Sequence, residues 1–573
     1  MPNIYILPDI LINKIAAGEV IERPASVVRE LLDNSIDAGA ARIEIDIMHG
    51  GKKLMKVSDN GCGMGREDAL LCFERHATSK IRSEEDLFNI TSLGFRGEAL
   101  AAIASVSKIT LTTCAAGAGA GTKIEIGVNH KKETSDAPPS AGTIIEVRDI
   151  FYNTPARRKF LKSNPTELSH IIEIVMQKAF AYPAIGFTLT HNNGELVNAP
   201  SAVTLEERFA QLYGEELSEE FIRVGIEERG MKIYGFISKP DFTRAGRSHQ
   251  VIFVNKRPVK NTTINHAIYS AYDTLLARDR HPAYFLFLDI DGKKVDVNVH
   301  PAKREVRFEK PDEIHRMVRA AVYKALNPGA DISIMTSESP YAGFRNAPLH
   351  FPVSFDNPVV SEGSAGIFPV LQTDFFSSGI AQNVQPFFYA GESFFATVTN
   401  DGLLIIDQHA AHERIQYEKF LKKTSLETEP LFLPLRIELP LKEYSLLLHH
   451  KALLNSLGLD IEDFGGNNVI VRSLPKELSK ADMKGLLIDV AAGILEEETN
   501  GIKDMTEESL LKNIAARLAC HKSVRGSEQL TNEELSRMMS DLEKCDEPGR
   551  CPHGRPTRIL LTLDDLRKMF KRK

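Results

Sequence analysis

The chain has 573 residues, 43% of them hydrophobic and 26% charged, with a formal net charge of −7. That length exceeds one hydrophobic core and predicts about three or four domains, while the charge excludes a surface coated in basic groups and leaves only local patches for phosphate. Six cysteines make no disulfide scaffold, no apolar run is long enough for a membrane span, and the opening MPNIYILPDI lacks an export signal, so the expected compartment is cytoplasmic, with no membrane.

Pro24 opens a predicted helix whose apolar stripe is Val28, Leu31, Leu32 and Ile36, with Gly39 ending it. On its polar side Glu30 and Asn34 share one face, four residues apart. Glu30 can orient and deprotonate a water, and Asn34 offers a carbonyl oxygen to Mg2+. An exposed polar stripe explains the same pair. RIEIDI alternates strictly and predicts a strand, with Ile43, Ile45 and Ile47 on one face. KLMKVSDNG reads as a second strand running into a turn. There Asp59 can accept a hydrogen bond from a purine amino group, and Gly61 and Gly63 let a ligand approach the backbone. SLGFRGEAL sets Gly94 and Gly97 before an Ala/Leu-rich helix, an arrangement that presents backbone N–H groups to phosphates. GAGAGTK lacks the spacing of a Walker A loop and is expected to be a hairpin turn. GTIIEV places Gly142 and Thr143 at a strand start. VIFVN, AYFLFLDI and KKVDVNVHP read as later strands, the last two joined in a hairpin at Asp291-Gly292.

Taken in order, NKIAAGEVIERPASVVRELLDNSIDAGA, DNGCGM, HATSKI, GFRGEAL and GTIIEVRDIFYNTPARRKF resemble the ATPase domain of the MutL family of DNA mismatch-repair proteins. That family shares its ATPase class with gyrase-type topoisomerases, histidine kinases and the large heat-shock chaperones. The resemblance covers most of residues 1–330 and closes on DVNVHPAKREVRF. It implies a multidomain α/β and α+β chain: a GHKL (Bergerat) ATPase sandwich over residues 1–205 and a ribosomal S5-like transducer over 206–328. By the same resemblance Glu30 is the general base for ATP hydrolysis and Asn34 the Mg2+ ligand. Asp59 reads adenine beside Gly61, Gly63 and Thr143, and the loop Gly94, Phe95, Arg96, Gly97 folds over the phosphates near Thr78 and Ser79. Lys303 reaches the γ-phosphate from the second domain. Basic runs at ARRKFLK, HPAKREVR and RKMFKRK stand as candidate patches, with Arg157, Arg158 and Lys159 expected to contact double-stranded DNA.

Periodicity fades from about Asn327 to Val384, where Pro, Ser, Gly and Asn crowd together, so residues 329–385 read as a flexible linker. A C-terminal α/β domain follows over 386–573, with an inserted subdomain expected at about 430–505. In LLIIDQHAAHERIQYEKF, Asp407 ends an apolar strand and can cap the helix behind it. His409 and Glu413 lie four apart on one helical face, the spacing with which helices grip a divalent metal, and Glu418 turns away from them. Cys520, Cys551 and His553 complete a mixed donor set, the last two sharing one side of an extended segment. Thiolate and imidazole suit zinc, and the carboxylates suit Mn2+ or Mg2+.

DQHAAHERIQYE, ACHKSVR, CPHGRP and FKR resemble the motifs of those MutL proteins that carry a nicking endonuclease in a C-terminal dimerisation domain. This implies a homodimer, catalytic roles for Asp407 and Glu413, and the mismatch-recognition protein MutS as partner. EPLFLP stands where relatives carry a Gln-led motif for the replicative sliding clamp, with Glu429 in place of Gln. Two rivals are a non-cutting matchmaker with a structural metal, and a topoisomerase-like ATPase. The second lacks any pattern resembling a strand-passage domain.

Overall fold

The computed structural model describes residues 21–81, 92–94, 97–127, 131–244, 246–247, 249–276, 280–296, 306–328, 387–390, 393–422, 428–479, 481–499, 507–522 and 530–570. It divides into two compact units, Met1–Ala330 with Lys423–His521, and Asp331–Lys422 with Lys522–Lys573.

In the first unit, helix α1 (Pro24–Asp37) starts at a proline, which pre-sets φ where the N–H needs no partner. Val28, Leu31 and Leu32 are buried from it, and Gly39 follows at φ +73°. Strands β1 (Arg42–Met48) and β2 (Leu54–Asp59) come next, with Ile43, Ile45 and Ile47 inward as the alternation predicts. They sit inside an eight-stranded sheet of order β5-β4-β3-β6-β2-β1-β7-β8. Its other members are β3 (Lys108–Cys114), β4 (Gly121–Ile126), β5 (Lys132–Ala137), β6 (Gly142–Arg148), β7 (Gly186–His191) and β8 (Gly194–Ala199). The GAGAGTK segment links the antiparallel β3 and β4, so it is a hairpin connection, as expected. A long helix, α2 (Asn164–Ala181), packs on α1 and β7 and completes the α/β sandwich.

The next domain carries a five-stranded sheet ordered β12-β11-β13-β10-β9. These strands are β9 (Phe221–Glu228), β10 (Met231–Ser238), β11 (Gln250–Val254), β12 (Arg257–Val259) and β13 (Tyr284–Asp289). The hairpin expected at Asp291-Gly292 is not formed. Strand β13 already pairs with β10 on one side and β11 on the other, so it has no free edge for the chain that follows. Gly292 instead opens a 3-10 turn, and Val295–Asp296 pairs with Arg307–Phe308. Phe180, near the end of α2, joins the two domains: its ring lies 5.4 Å from Phe287, 5.5 Å from Phe285 and 5.9 Å from Phe209. All four rings are buried.

The segment after Lys423 adds a three-stranded sheet, β14 (Thr428–Glu438), β15 (Asp460–Gly465) and β16 (Asn468–Pro475), with β16 central. Helices α3 (Leu441–His449) and α4 (Met483–Thr499) flank it. The second unit holds a four-stranded sheet, β17 (Phe388–Tyr389), β18 (Phe394–Thr399), β19 (Gly402–Asp407) and β20 (Arg558–Thr562). Helix α5 (Gln408–Lys422) leaves β19 directly, and its Ala411 and Ile415 pack with Phe395, Ile406 and Leu535.

Candidate functional site

Two clusters collect most of the sequence-derived residues, one in each unit.

The first lies between α1 and the ends of β2 and β6. Asp59 ends β2 and pairs in register with Thr143 of β6. Its Oδ2 accepts from Ser35 Oγ at 2.8 Å and its Oδ1 from the Gly61 amide at 2.9 Å. Burial pushes the Asp59 carboxyl upward, against the hydrogen bonds from Gly61, Ser35 and Thr143. Behind it, Thr113 Oγ1 contacts Thr143 Oγ1 at 3.0 Å and accepts from the Met64 amide at 3.0 Å. Gly63 has φ +63°, and a Cβ there would meet the Cys114 carbonyl oxygen at 1.9 Å, so only glycine closes this turn.

One turn away on α1, Asn34 Oδ1 accepts from Lys80 Nζ at 2.9 Å, and the same ammonium lies 2.5 Å from Asp37 Oδ2. Asp37 also accepts from the Leu93 and Gly94 amides, at 2.9 and 3.2 Å, which ties the glycine loop to the helix. Gly97 (φ +62°) lies against Ala77, and its carbonyl accepts from the His76 amide at 3.1 Å. Thr78 Oγ1 accepts from the Lys80 amide, and Ser79 is exposed. Glu30 is largely buried beside Arg29, at 3.6 Å. Phe95, Arg96 and Lys303 lie outside the described residues. Sequence reasoning missed Ser35, Asp37 and Lys80. Their signal was present, since Asp37 stands three residues beyond Asn34 and Lys80 inside the quoted HATSKI.

In the second unit Asp407 ends β19 and caps α5, its Oδ1 accepting from the amides of His409 and Ala410 at 3.0 and 3.1 Å. Two turns along, Glu413 is 1% exposed, and among the described residues no backbone amide donates to its oxygens. Two imidazoles crowd it instead: His409 Nε2 at 3.2 Å from Oε1 and His553 Nδ1 at 3.4 Å from Oε2. Burial raises the Glu413 pKa, but the two histidines outweigh it and hold the group well below the carboxylate range. Contacts with Cys551 and then Glu413 push His553 up to about 9. The buried Cys551 completes a triad whose ligand atoms with Glu413 and His553 all lie within 4.8 Å of one another. A tight turn builds this, the Gly554 amide donating to the Cys551 carbonyl at 2.9 Å with Gly554 at φ +83°. Arg414 donates to the Arg550 carbonyl and so fixes that turn to the helix. Glu418 is structural: its oxygens accept from the Asp546 and Glu547 amides at 2.7 and 3.2 Å. Cys520 belongs to the helix Glu507–Lys522, with its side chain outside the described residues.

The ligand atoms of the triad lie close enough together that they could hold one metal ion. A buried carboxylate is costly unless a positive charge faces it, and a metal ion can supply that charge while accepting the adjacent sulfur and nitrogen. The Asn34 and Asp37 oxygens likewise converge on a positive charge, here an ammonium, and hard oxygens of this kind suit Mg2+.

The α/β sandwich, with an acidic helix beside the ends of β2 and β6 and a glycine loop tied to it, has the architecture of an ATPase. Residues 21–150 match the family described as histidine kinase-, DNA gyrase B-, and HSP90-like ATPase. Residues 209–327 match the DNA mismatch repair protein C-terminal domain, and residues 390–530 the MutL C terminal dimerisation domain. The chain is 38% identical to the DNA mismatch repair protein MutL of Thermodesulfovibrio yellowstonii, covering 100% of each, and 37% identical to that of Syntrophotalea carbinolica, covering 100% and 99%. The chain belongs to the MutL family of DNA mismatch-repair proteins. A solved structure described as the Aquifex aeolicus MutL ATPase domain complexed with ADP is 28% identical, with a TM-score of 0.36, covering 48% of this chain and 93% of that one. No helix among the described residues is long and apolar enough to cross a membrane.

Proposed function

We propose that this MutL-family ATPase is an ATP-gated switch that also nicks DNA with a metal held in its C-terminal unit. The observation that carries the nuclease reading is Glu413: an almost wholly buried carboxylate held ionised between His409 and His553, with the Cys551 sulfur beside it. Glu413, Cys551 and His553 would hold the ion, with Asp407, His409 and Cys520 as further ligands in this reading. Bound there, Zn2+ or Mn2+ supplies Lewis acidity and a low-pKa water for phosphodiester hydrolysis. Asp407 sets the start of α5 and so the direction from which His409 and Glu413 reach the site.

At the nucleotide site Glu30 acts as general base, and Asn34 with Asp37 holds Mg2+. Asp59, Gly61, Gly63 and Thr143 receive the adenine. Thr78, Ser79 and the loop Gly94–Gly97 cover the phosphates, and Lys303 contacts the γ-phosphate from the second domain. For DNA, Arg157, Arg158 and Lys159 form a short helix with its basic residues in the last turn. Arg158 lines a cavity of about 620 Å³ with His49, Lys52, Lys53, Lys108 and a single acid, Asp149, a charge balance that suits phosphates. Homodimerisation is supported by the open face of the second unit's sheet. There the register aligns Val398, Leu403 and Leu561, and beside them Ile405 and Ile559, with Val398 and Ile559 exposed. The expected partners are MutS, and the sliding clamp through Phe432, which is 99% exposed.

The test is nicking of supercoiled plasmid with Mn2+ by the parent chain, Asp407→Asn and Glu413→Gln. Open circles from the parent alone support the reading. Zinc retained by the parent, with no cleavage under any divalent ion and with clamp supplied, makes the chain a matchmaker with a structural metal.

A further inference from the structure

The segment that follows Lys423 does not stand alone; it docks across the junction of the first two domains. Leu441, at the start of α3, is 3% exposed and belongs to the same buried cluster as Phe180, Phe236 and Phe285. Around it, charges of the two sides meet as opposites. Lys442 Nζ lies 3.0 Å from Glu173 Oε2 on α2, the lysine side chain only 12% exposed. Lys484, on α4, lies 2.7 Å from Glu216. Asp489, also on α4 and 1% exposed, lies 3.4 Å from Arg280 of the second domain. Arg244 faces Asp489, Asp482 and Glu443, with its guanidinium 4.0 Å above the Phe242 ring. Glu443 approaches the buried His249 at 3.8 Å. Gly485 and Gly246 sit where the backbones come close: a Cβ on the first would stand 3.6 Å from Arg244, and one on the second 3.3 Å from Ala492.

Two consequences follow from this geometry. This pair of helices holds the ATPase domain through Glu173, and the second domain through Glu216, Arg244, His249 and Arg280. The hold also reaches the nucleotide helix. Glu173 shares α2 with Lys178, whose buried ammonium pairs with Asp33 on α1, the residue next to Asn34. An element that fixes the angle between two domains restrains any nucleotide cycle that changes that angle.

We infer that the α3–α4 subdomain is an intrachain latch that restrains the ATPase by clamping its domain to the second one. This role lies outside nucleotide chemistry and is independent of the Glu413 site. The test uses the full chain with Lys442→Glu, Glu173→Lys and the double swap Lys442→Glu/Glu173→Lys. Hydrogen–deuterium exchange at 164–181 and 441–449 and steady-state ATP turnover are read together. Each single reversal is expected to raise exchange at both helices and to raise turnover about fivefold or more, the lower end of measured couplings between sites. The swap is expected to return both toward the parent. Should a reversal unfold the chain, Leu441→Ala carries the same two readouts with every charge in place. Unchanged exchange at both helices overturns the docking, and turnover that stays level or falls overturns the restraint.

Discussion

The two candidate sites hold charge in opposite ways. At the nucleotide site every carboxylate oxygen of Asp59 and Asp37 is met by a donor: Ser35 and the Gly61 amide on one, Lys80 and the loop amides on the other. At the C-terminal site Glu413 is more deeply buried, and among the described residues only the imidazoles of His409 and His553 face its oxygens. The first site is a finished network into which a ligand fits by exchange of partners. The second balances a buried charge with imidazoles alone, groups that a metal ion can displace or share. Backbone and hydroxyl donors satisfy one set of carboxylates, while the other is met by side chains that are themselves metal-ligand types.

The largest expected effect separates the sites by function. Glu30→Ala should lower ATP turnover about 10²–10⁴-fold, the usual contribution of a positioned base, while ATP binding persists. Metal content should not change, because Glu30 belongs to the other compact unit. Radiolabelled turnover with parallel filter binding checks this, and turnover within a few fold of the parent removes the base assignment. Next comes Glu413→Gln. It keeps the shape and removes the charge, so metal affinity should fall by at least about the 10–100-fold that losing a mere outer partner costs. Elemental analysis after dialysis reads that directly, without activity. If Glu413→Gln binds metal like the parent, the carboxylate is not a ligand and the contrast between the sites collapses.

A smaller effect probes the finished network. Asp37→Asn leaves the Lys80 ammonium facing one amide oxygen instead of a carboxylate, and leaves one loop amide without its acceptor. The loss of charge-assisted bonds is worth about 1–3 kcal/mol. It should appear as faster exchange of the Leu93 and Gly94 amides and weaker ATP binding, with unfolding of the other unit unchanged. Equal exchange in the variant would mean the loop is held by other contacts.

Local features of this arrangement were legible in the sequence. The stripe of Val28, Leu31 and Leu32 and the alternation of Ile43, Ile45 and Ile47 each depend on residues within a few positions of one another, whereas Cys551 and His553, expected on an extended segment, meet across a tight turn closed by Gly554. What escaped depends on distant partners. Nothing near Phe180 announces that Phe285 and Phe287 will close around it from another domain. Asp291-Gly292 carries a sound hairpin signal that fails because β10 and β11 had taken both edges of β13. The capping role of Asp407 was legible from its place at a strand end. The pairing of Glu413 with His553 across the fold was not, since it depends on everything that packs there.

The smallest expected effect tests whether exposure alone marks function. Phe432 sits in β14 between Pro430 and Leu435, where the pairing with β16 shifts register, and it is 99% exposed. A side chain that touches nothing contributes little to folding, so Phe432→Ala should change stability by no more than about 0.5 kcal/mol. Large aromatics left in water beside a bulge are nonetheless costly to solubility, and interfaces recruit such anchors. Clamp binding in a pull-down should therefore fall while the melting temperature holds. If the segment binds in the proposed clamp mode, Glu429→Gln should strengthen the same interaction. A pull-down indifferent to both substitutions would leave the bulge as an irregularity of the sheet edge.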